Sequence, residues 1–201
     1  MRTERGLDRL VTFLDAVVAI AITLLVLPLI EVLTEDSGED LGTVLSDNLG
    51  QFGAFALSFV VIARLWLAHH RIVESVGAYD GLFLWVNLFW AFTIVLLPFA
   101  TAVIAEFGTD RLSLGLYVGT IAASSGAATT LTLLLRRRPG LRRRGVGADD
   151  VEVVPSVVVT GLLLVALVLG VVFPRVNFYA MFVLFLSGPV EQLVQRVRVR
   201  G

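Results

Sequence analysis

The sequence predicts an all-α integral membrane protein of six transmembrane helices, forming one domain over residues 1–201. Three observations point there. Apolar residues make up 57% of the chain and charged residues only 16%, with a mean hydropathy of +0.87, which leaves too little polar surface to clothe a water-soluble globule. The apolar residues fall into six runs matching the roughly 20 helical residues that a bilayer core requires. The basic residues, sixteen in number and all arginine, gather between alternate runs. There is no cysteine, so disulfide scaffolds, thiolate metal sites and cysteine nucleophiles are excluded.

The runs cover about 11–33, 48–68, 81–105, 112–135, 153–173 and 176–194. The first is long, carries Asp15 and lacks a small-residue cleavage site, so it reads as a retained helix rather than a signal peptide. Pro28 in this run and Pro98 in the third each remove a backbone donor and predict kinks. The second run leads into His69 and His70, which as neighbours point about 100° apart on a helix. They cannot face one metal as an i, i+4 pair would, and they suit interfacial hydrogen bonding instead. Asn87 in the third run is suited to an interhelical hydrogen bond. In the fourth, Gly115 and Gly119, continued by Ala122 and Gly126, form a small face for close helix packing. The sixth is short and needs Arg175 and Arg196 to snorkel to the interfaces.

Orientation follows from the arginines. The N-terminus carries Arg2, Arg5 and Arg9, and the second connection carries Arg71. The fourth carries Arg136, Arg137, Arg138, Arg142, Arg143 and Arg144, and the tail carries Arg196, Arg198 and Arg200. The three remaining connections hold only Arg111 and Arg175, so both termini are expected in the cytoplasm. The outer loop 34–47 carries Glu35, Asp36, Glu39, Asp40 and Asp47 and reads as a solvated negative surface. Pro139, Gly140, Gly145 and Gly147 make the arginine-rich loop irregular. Its charge serves topology and attraction to anionic lipids, at about 1 kcal/mol per arginine near the surface. Six arginines without interleaved aromatics make a poor nucleic-acid surface.

Any function therefore lies within the membrane. No H-E-x-x-H, P-loop, G-x-S-x-G or paired carboxylates on one span is present, so nothing suggests an enzyme, a cofactor or a resident metal. The carbonyl-filter sequence T-V-G-Y-G is also absent. On the first span, at about 100° per residue, Phe13, Ala16, Thr23, Leu24, Leu27 and Glu31 lie within about 60° of Ile20. Nothing ionisable interrupts this stripe between Phe13 and Leu27. Asp15 falls on the far side, where a neighbouring helix should supply its partner, and Arg64 lies at matching depth on the second span.

The stretch Arg9, Phe13, Asp15, Ala16, Val17, continuing through Ala19, Ile20, Ala21, Ile22, Thr23, Leu24 and Leu25, resembles the R-x-x-x-F-S-D pattern of the transmembrane protein 175 family of potassium channels. Trp66, Leu67, Ala68, His69 and His70 are similar to the end of that family's second helix. Asn87 with Leu96, Leu97, Pro98, Phe99 and Thr101 is similar to its third. The serine of the pattern is Leu14 here, so a hydroxyl expected in the inter-helix network is missing.

The resemblance implies a prokaryotic, potassium-preferring cation channel, a homotetramer whose first helices surround a central pore in the bacterial plasma membrane. It implies that Ile20 is the constricting residue, with Leu24 and Leu27 as further apolar rings and Thr23 as a hydroxyl ring tied to selectivity. Arg9, Phe13 and Asp15, with Arg64, His69, His70 and Asn87, would form the inter-helix network, and Glu31 falls at the outer mouth. The only bound species implied is the permeant potassium ion. A secondary transporter is the rival reading, but it calls for a midplane site in broken helices and often internal repeats, and no half-to-half repeat is evident. A membrane scaffold, supported by the small face of the fourth span alone, is the third.

Overall fold

The structure, a computed structural model, describes residues 4–35, 38, 40–108 and 110–172. The sixth expected span, 176–194, and the arginines beyond it lie outside the described residues. Seven helices are present among those described: α1 (Glu4–Leu24), α2 (Leu27–Glu35), α3 (Leu41–Asp47), α4 (Leu49–Glu74), α5 (Gly81–Phe107), α6 (Arg111–Arg137) and α7 (Val154–Val172). With α1 and α2 taken as one span, five of the expected spans are long and apolar enough to cross a membrane. This is a multi-pass membrane protein.

The first span departs from a single unbroken helix. Pro28 cannot donate to the Leu24 carbonyl, and the chain turns at Leu25 and Val26, where the Val26 amide bonds the Thr23 carbonyl at 3.3 Å instead. The kink expected at Pro28 is thus a break. Pro98, by contrast, sits inside a continuous α5. The expected outer loop contains the short α3, capped by Asp40, whose carboxylate accepts the Gly42 amide at 3.0 Å.

Two of the long helices, α5 and α6, start where the sequence supplies a capping carboxylate. Asp80 accepts the Phe83 amide at 2.8 Å to open α5. Asp110 accepts the Leu112 and Ser113 amides at 2.6 and 2.9 Å to open α6. Gly108, at φ +66°, ends α5 in a conformation that a side chain would strain. Donation from the Phe83 amide, with Arg138 adding to it, holds the Asp80 carboxyl below its usual range. Backbone donation from Ser113 and Leu112 does the same for Asp110.

The centre of the bundle is α6, with 61% of its most apolar stretch buried against 39% or less for the other spans. It packs chiefly on α5 and α7. The small face meets α7: a Cβ on Gly115 would lie 3.6 Å from Val171 Cγ2, and one on Gly119 would lie 3.9 Å from Leu167 Cδ1. Hydroxyls join the same pair, with Thr160 Oγ1 at 2.8 Å from Ser125 Oγ and 2.9 Å from Thr129 Oγ1.

The arginine-rich loop is irregular, as expected, apart from one 3-10 turn at Pro139–Leu141. It is also bonded to the turn between α4 and α5. Gly77 N donates to Leu141 O and Arg143 N to Ser75 O, both at 2.9 Å, closing a bridge between Val76 and Arg142.

Candidate functional site

One face of the first span is turned inward by a repeating spacing of three, four and four residues. Leu7, Leu10, Leu14, Val18, Ala21, Leu25, Leu29 and Val32 are all buried. The opposite face is left bare: Ile20 is 60% exposed, Phe13 51%, Leu27 49% and Leu24 39%. Arg9, Ala16, Thr23 and Glu31 are exposed with them. The buried register passes the break at Leu25 without a slip, so Leu27 and Glu31 stay on the bare side.

This face differs from the other uncovered surfaces. The bare side of α5 carries Trp85, Phe89, Phe92, Val95 and Phe99, bulky and wholly apolar. The α1 face is narrower in its chemistry, with small Ala16 and the Thr23 hydroxyl beside Ile20. Thr23 Oγ1 donates to the Ile20 carbonyl at 2.8 Å. Its hydrogen is therefore committed to the backbone, and its lone pairs remain available to a ligand.

Behind the bare face, polar side chains tie the helices together. Trp66 Nε1 donates to Asp15 Oδ1 at 2.8 Å, which joins α1 to α4. Sequence reasoning looked for a partner of Asp15 on this helix, at Arg64, and overlooked the indole two residues on. Arg64 is exposed and lines a cavity of about 360 Å³ between α4, α6 and α7, together with Arg71, Ser125 and Thr129.

The two histidines part as their spacing requires. His69 is buried, its ring stacked on Trp90 with centroids 3.9 Å apart, and its Nε2 lies 2.8 Å from Asn87 Oδ1. Because Asn87 Nδ2 donates to Phe83 O at 2.8 Å, Oδ1 is the acceptor, which assigns the proton to His69 Nε2. His70 faces outward, 3.7 Å from Glu74 Oε1 and with its ring centroid 5.3 Å from that of Trp66. Among the described residues no three metal-ligating side chains converge.

A second buried cluster escaped the sequence reading. Ser58 Oγ lies 3.0 Å from Tyr117 Oη and 2.8 Å from Thr101 Oγ1, linking α4, α5 and α6. The signal was available, since isolated hydroxyls inside apolar spans seek one another. Leu14, which stands where the family pattern has serine, is 1% exposed on the inward face of α1. It fills the core there.

The sequence profile of the family described as endosomal/lysosomal potassium channel TMEM175 matches residues 9–98. A protein of Streptomyces collinus named a potassium channel is 35% identical over 106 residues, 52% of this chain and 51% of that one. Another of Chamaesiphon minutus, also named a potassium channel, is 36% identical over 123 residues, 59% of each. The chain thus spans about half the length of the curated relatives it matches. The crystal structure of a lysosomal potassium-selective channel TMEM175 homolog from Chamaesiphon minutus aligns with a TM-score of 0.74 at 26% identity, over 94% of this chain and 99% of that one. The part of the chain that matches the TMEM175 family model therefore holds the bare face of α1 and the partners of Asp15 and His69, and the whole is similar in fold to a solved TMEM175 homologue.

Proposed function

We propose that the chain is one subunit of a homotetrameric cation channel, potassium-selective or weakly so, in a bacterial plasma membrane. Six spans per subunit place both termini in the cytoplasm. The observation that carries this reading is the bare, uncharged face of α1 from Phe13 to Leu27, in a helix otherwise packed tightly into its own subunit. A face with a threonine oxygen and no bulky aromatic beyond Phe13 suits the wall of a narrow conduit better than a lipid contact. The names of the aligned relatives point the same way.

In this reading four Ile20 side chains form the narrowest ring, with Leu24 and Leu27 as further apolar rings on the side of α2. The pore shuts by dewetting rather than by a carbonyl filter. Thr23 presents lone pairs to a partly dehydrated cation. Glu31 stands at the outer mouth. Arg9, Asp15 with Trp66, and His69 with Asn87 hold the wall in register. The arginines of the 136–144 loop rest on anionic lipid headgroups at the inner surface.

Recording from purified protein in planar bilayers tests the proposal. Discrete conductance steps reversing near the potassium equilibrium potential are expected, together with a solubilised mass of four chains. Solute uptake without unitary steps would favour a transporter and overturn the channel reading.

A further inference from the structure

We infer that the arginine loop is a sensor for anionic lipid headgroups whose occupancy is conveyed to the start of α1 through the turn at residues 75–80. The inference rests on the channel reading only for its functional consequence. A run of arginines needed merely to fix topology has no reason to be built into the fold, yet this one is.

Two of its six arginines, besides the backbone of Arg143, are structurally engaged. Arg138 pairs with Asp80, which also caps α5, and Arg142 joins the bridge to Val76. The loop and the turn are in backbone contact. A Cβ on Gly77 would fall 2.8 Å from Arg143 Cα and 3.0 Å from Arg142 O, so any side chain there must push the two segments apart. Leu141 and Val76 are buried at the junction. The other end of the same turn presses on α1: Tyr79 is buried, and a Cβ on Gly6 would lie 2.7 Å from its Oη. Close contact is therefore continuous from loop to turn to the first helical turn of α1.

The remaining four arginines, Arg136, Arg137, Arg143 and Arg144, are exposed. Arg136 and Arg137 form the last turn of the membrane-spanning α6, and Arg143 and Arg144 follow in the loop beyond it. Each favours an anionic surface about fivefold. Of the nearby acids, Asp150 accepts the Gly147 amide at 2.7 Å, and Asp149 and Glu152 are exposed further along the connection. Headgroup phosphates drawn to Arg143 and Arg144 act on the strand of chain that is bonded to Ser75 and Gly77.

Hydrogen exchange in nanodiscs of phosphatidylcholine, with and without phosphatidylglycerol, tests this independently of conduction. Phosphatidylglycerol should slow exchange severalfold both at 141–144 and at residues 5–10. The combined Arg136→Gln, Arg137→Gln, Arg143→Gln and Arg144→Gln variant should lose both responses. Gly77→Ala should keep the loop response and lose that of α1. If phosphatidylglycerol slows neither segment, or slows the loop alone in the wild-type protein, or acts equally on the four-arginine variant, the inference is overturned. Because the four side chains are exposed and their replacement leaves the Arg143 amide bonded to Ser75, the wild-type and four-arginine proteins decide the matter even if Gly77→Ala does not fold. Parallel recordings separate the two readings. Absence of current in every lipid with the exchange pattern intact refutes the channel alone, whereas current without any exchange response refutes the coupling alone.

Discussion

Ile20 and Thr23 show how little chemistry separates a pore wall from a lipid contact. Ile20, 60% exposed, is among the more exposed side chains of the first span. Replacing it with asparagine supplies hydrogen bonds to water at that level. Ile20→Asn should raise unitary current severalfold while the current stays cationic, measured in planar bilayers. An unaltered conductance would place the constriction elsewhere on α1. At Thr23 the backbone bond to Ile20 takes up the hydroxyl hydrogen and leaves the oxygen free to accept. Thr23→Ala removes the oxygen and changes little else. The potassium-to-sodium ratio from bi-ionic reversal potentials should fall, and an unchanged ratio would remove Thr23 from the selectivity argument. The bare face was legible residue by residue, because helical periodicity alone sorts Ile20 from Leu14. The hydrogen bond of Thr23 was not, since the rotamer of a hydroxyl is chosen by its surroundings.

The helices are held in register by a few polar contacts, and two of them are open to measurement. The Trp66 indole donates to a carboxylate in a half-buried position on α1. Trp66→Phe keeps most of the packing and removes the donor. A hydrogen bond to a charged group contributes about 1.5 to 3 kcal/mol, so the melting temperature in detergent should fall accordingly. An unchanged melting temperature would show that the bond contributes nothing to stability. At the other contact, Asp80 caps α5 and receives Arg138 from the end of α6. Asp80→Ala should cost about 1 kcal/mol near neutral pH. Because the folded carboxyl titrates below its unfolded value, its contribution is present in full above the unfolded pKa and is lost as pH falls through the folded one. The stability gap between wild type and variant should therefore be constant from pH 7 to 5 and shrink below about pH 4. A gap independent of pH would mean that the charged form is not the one favoured. The sequence placed the start of α5 next to Asp80 but not the ion pair, which depends on where the end of α6 lies against the start of α5.

Across the whole molecule, the spans sort charge to two ends. Arg5, Arg9, Arg71 and the loop arginines stand at one end, and Glu31, Asp40 and Asp47 at the other. Four Glu31 side chains around one axis would form an electrostatic ring that raises local cation concentration. The ring is screened as the Debye length falls from about 30 Å at 0.01 M salt to about 3 Å at 1 M. Glu31→Gln should therefore reduce inward current at low salt and scarcely affect it at high salt. Equal effects at both salt concentrations, or none at either, would place Glu31 away from the permeation path. The sequence by itself determined the five spans among the described residues, the inward and outward faces of α1 and the divergence of His69 from His70. Each of these follows from run length or helical period, which are properties of a single segment in a bilayer. The tertiary structure alone decided that Asp15 meets Trp66, that Ser58, Tyr117 and Thr101 converge and that the arginine loop is bonded to the turn between α4 and α5. Those contacts join residues dozens of positions apart, and their geometry is set by how whole helices pack, which no local pattern encodes.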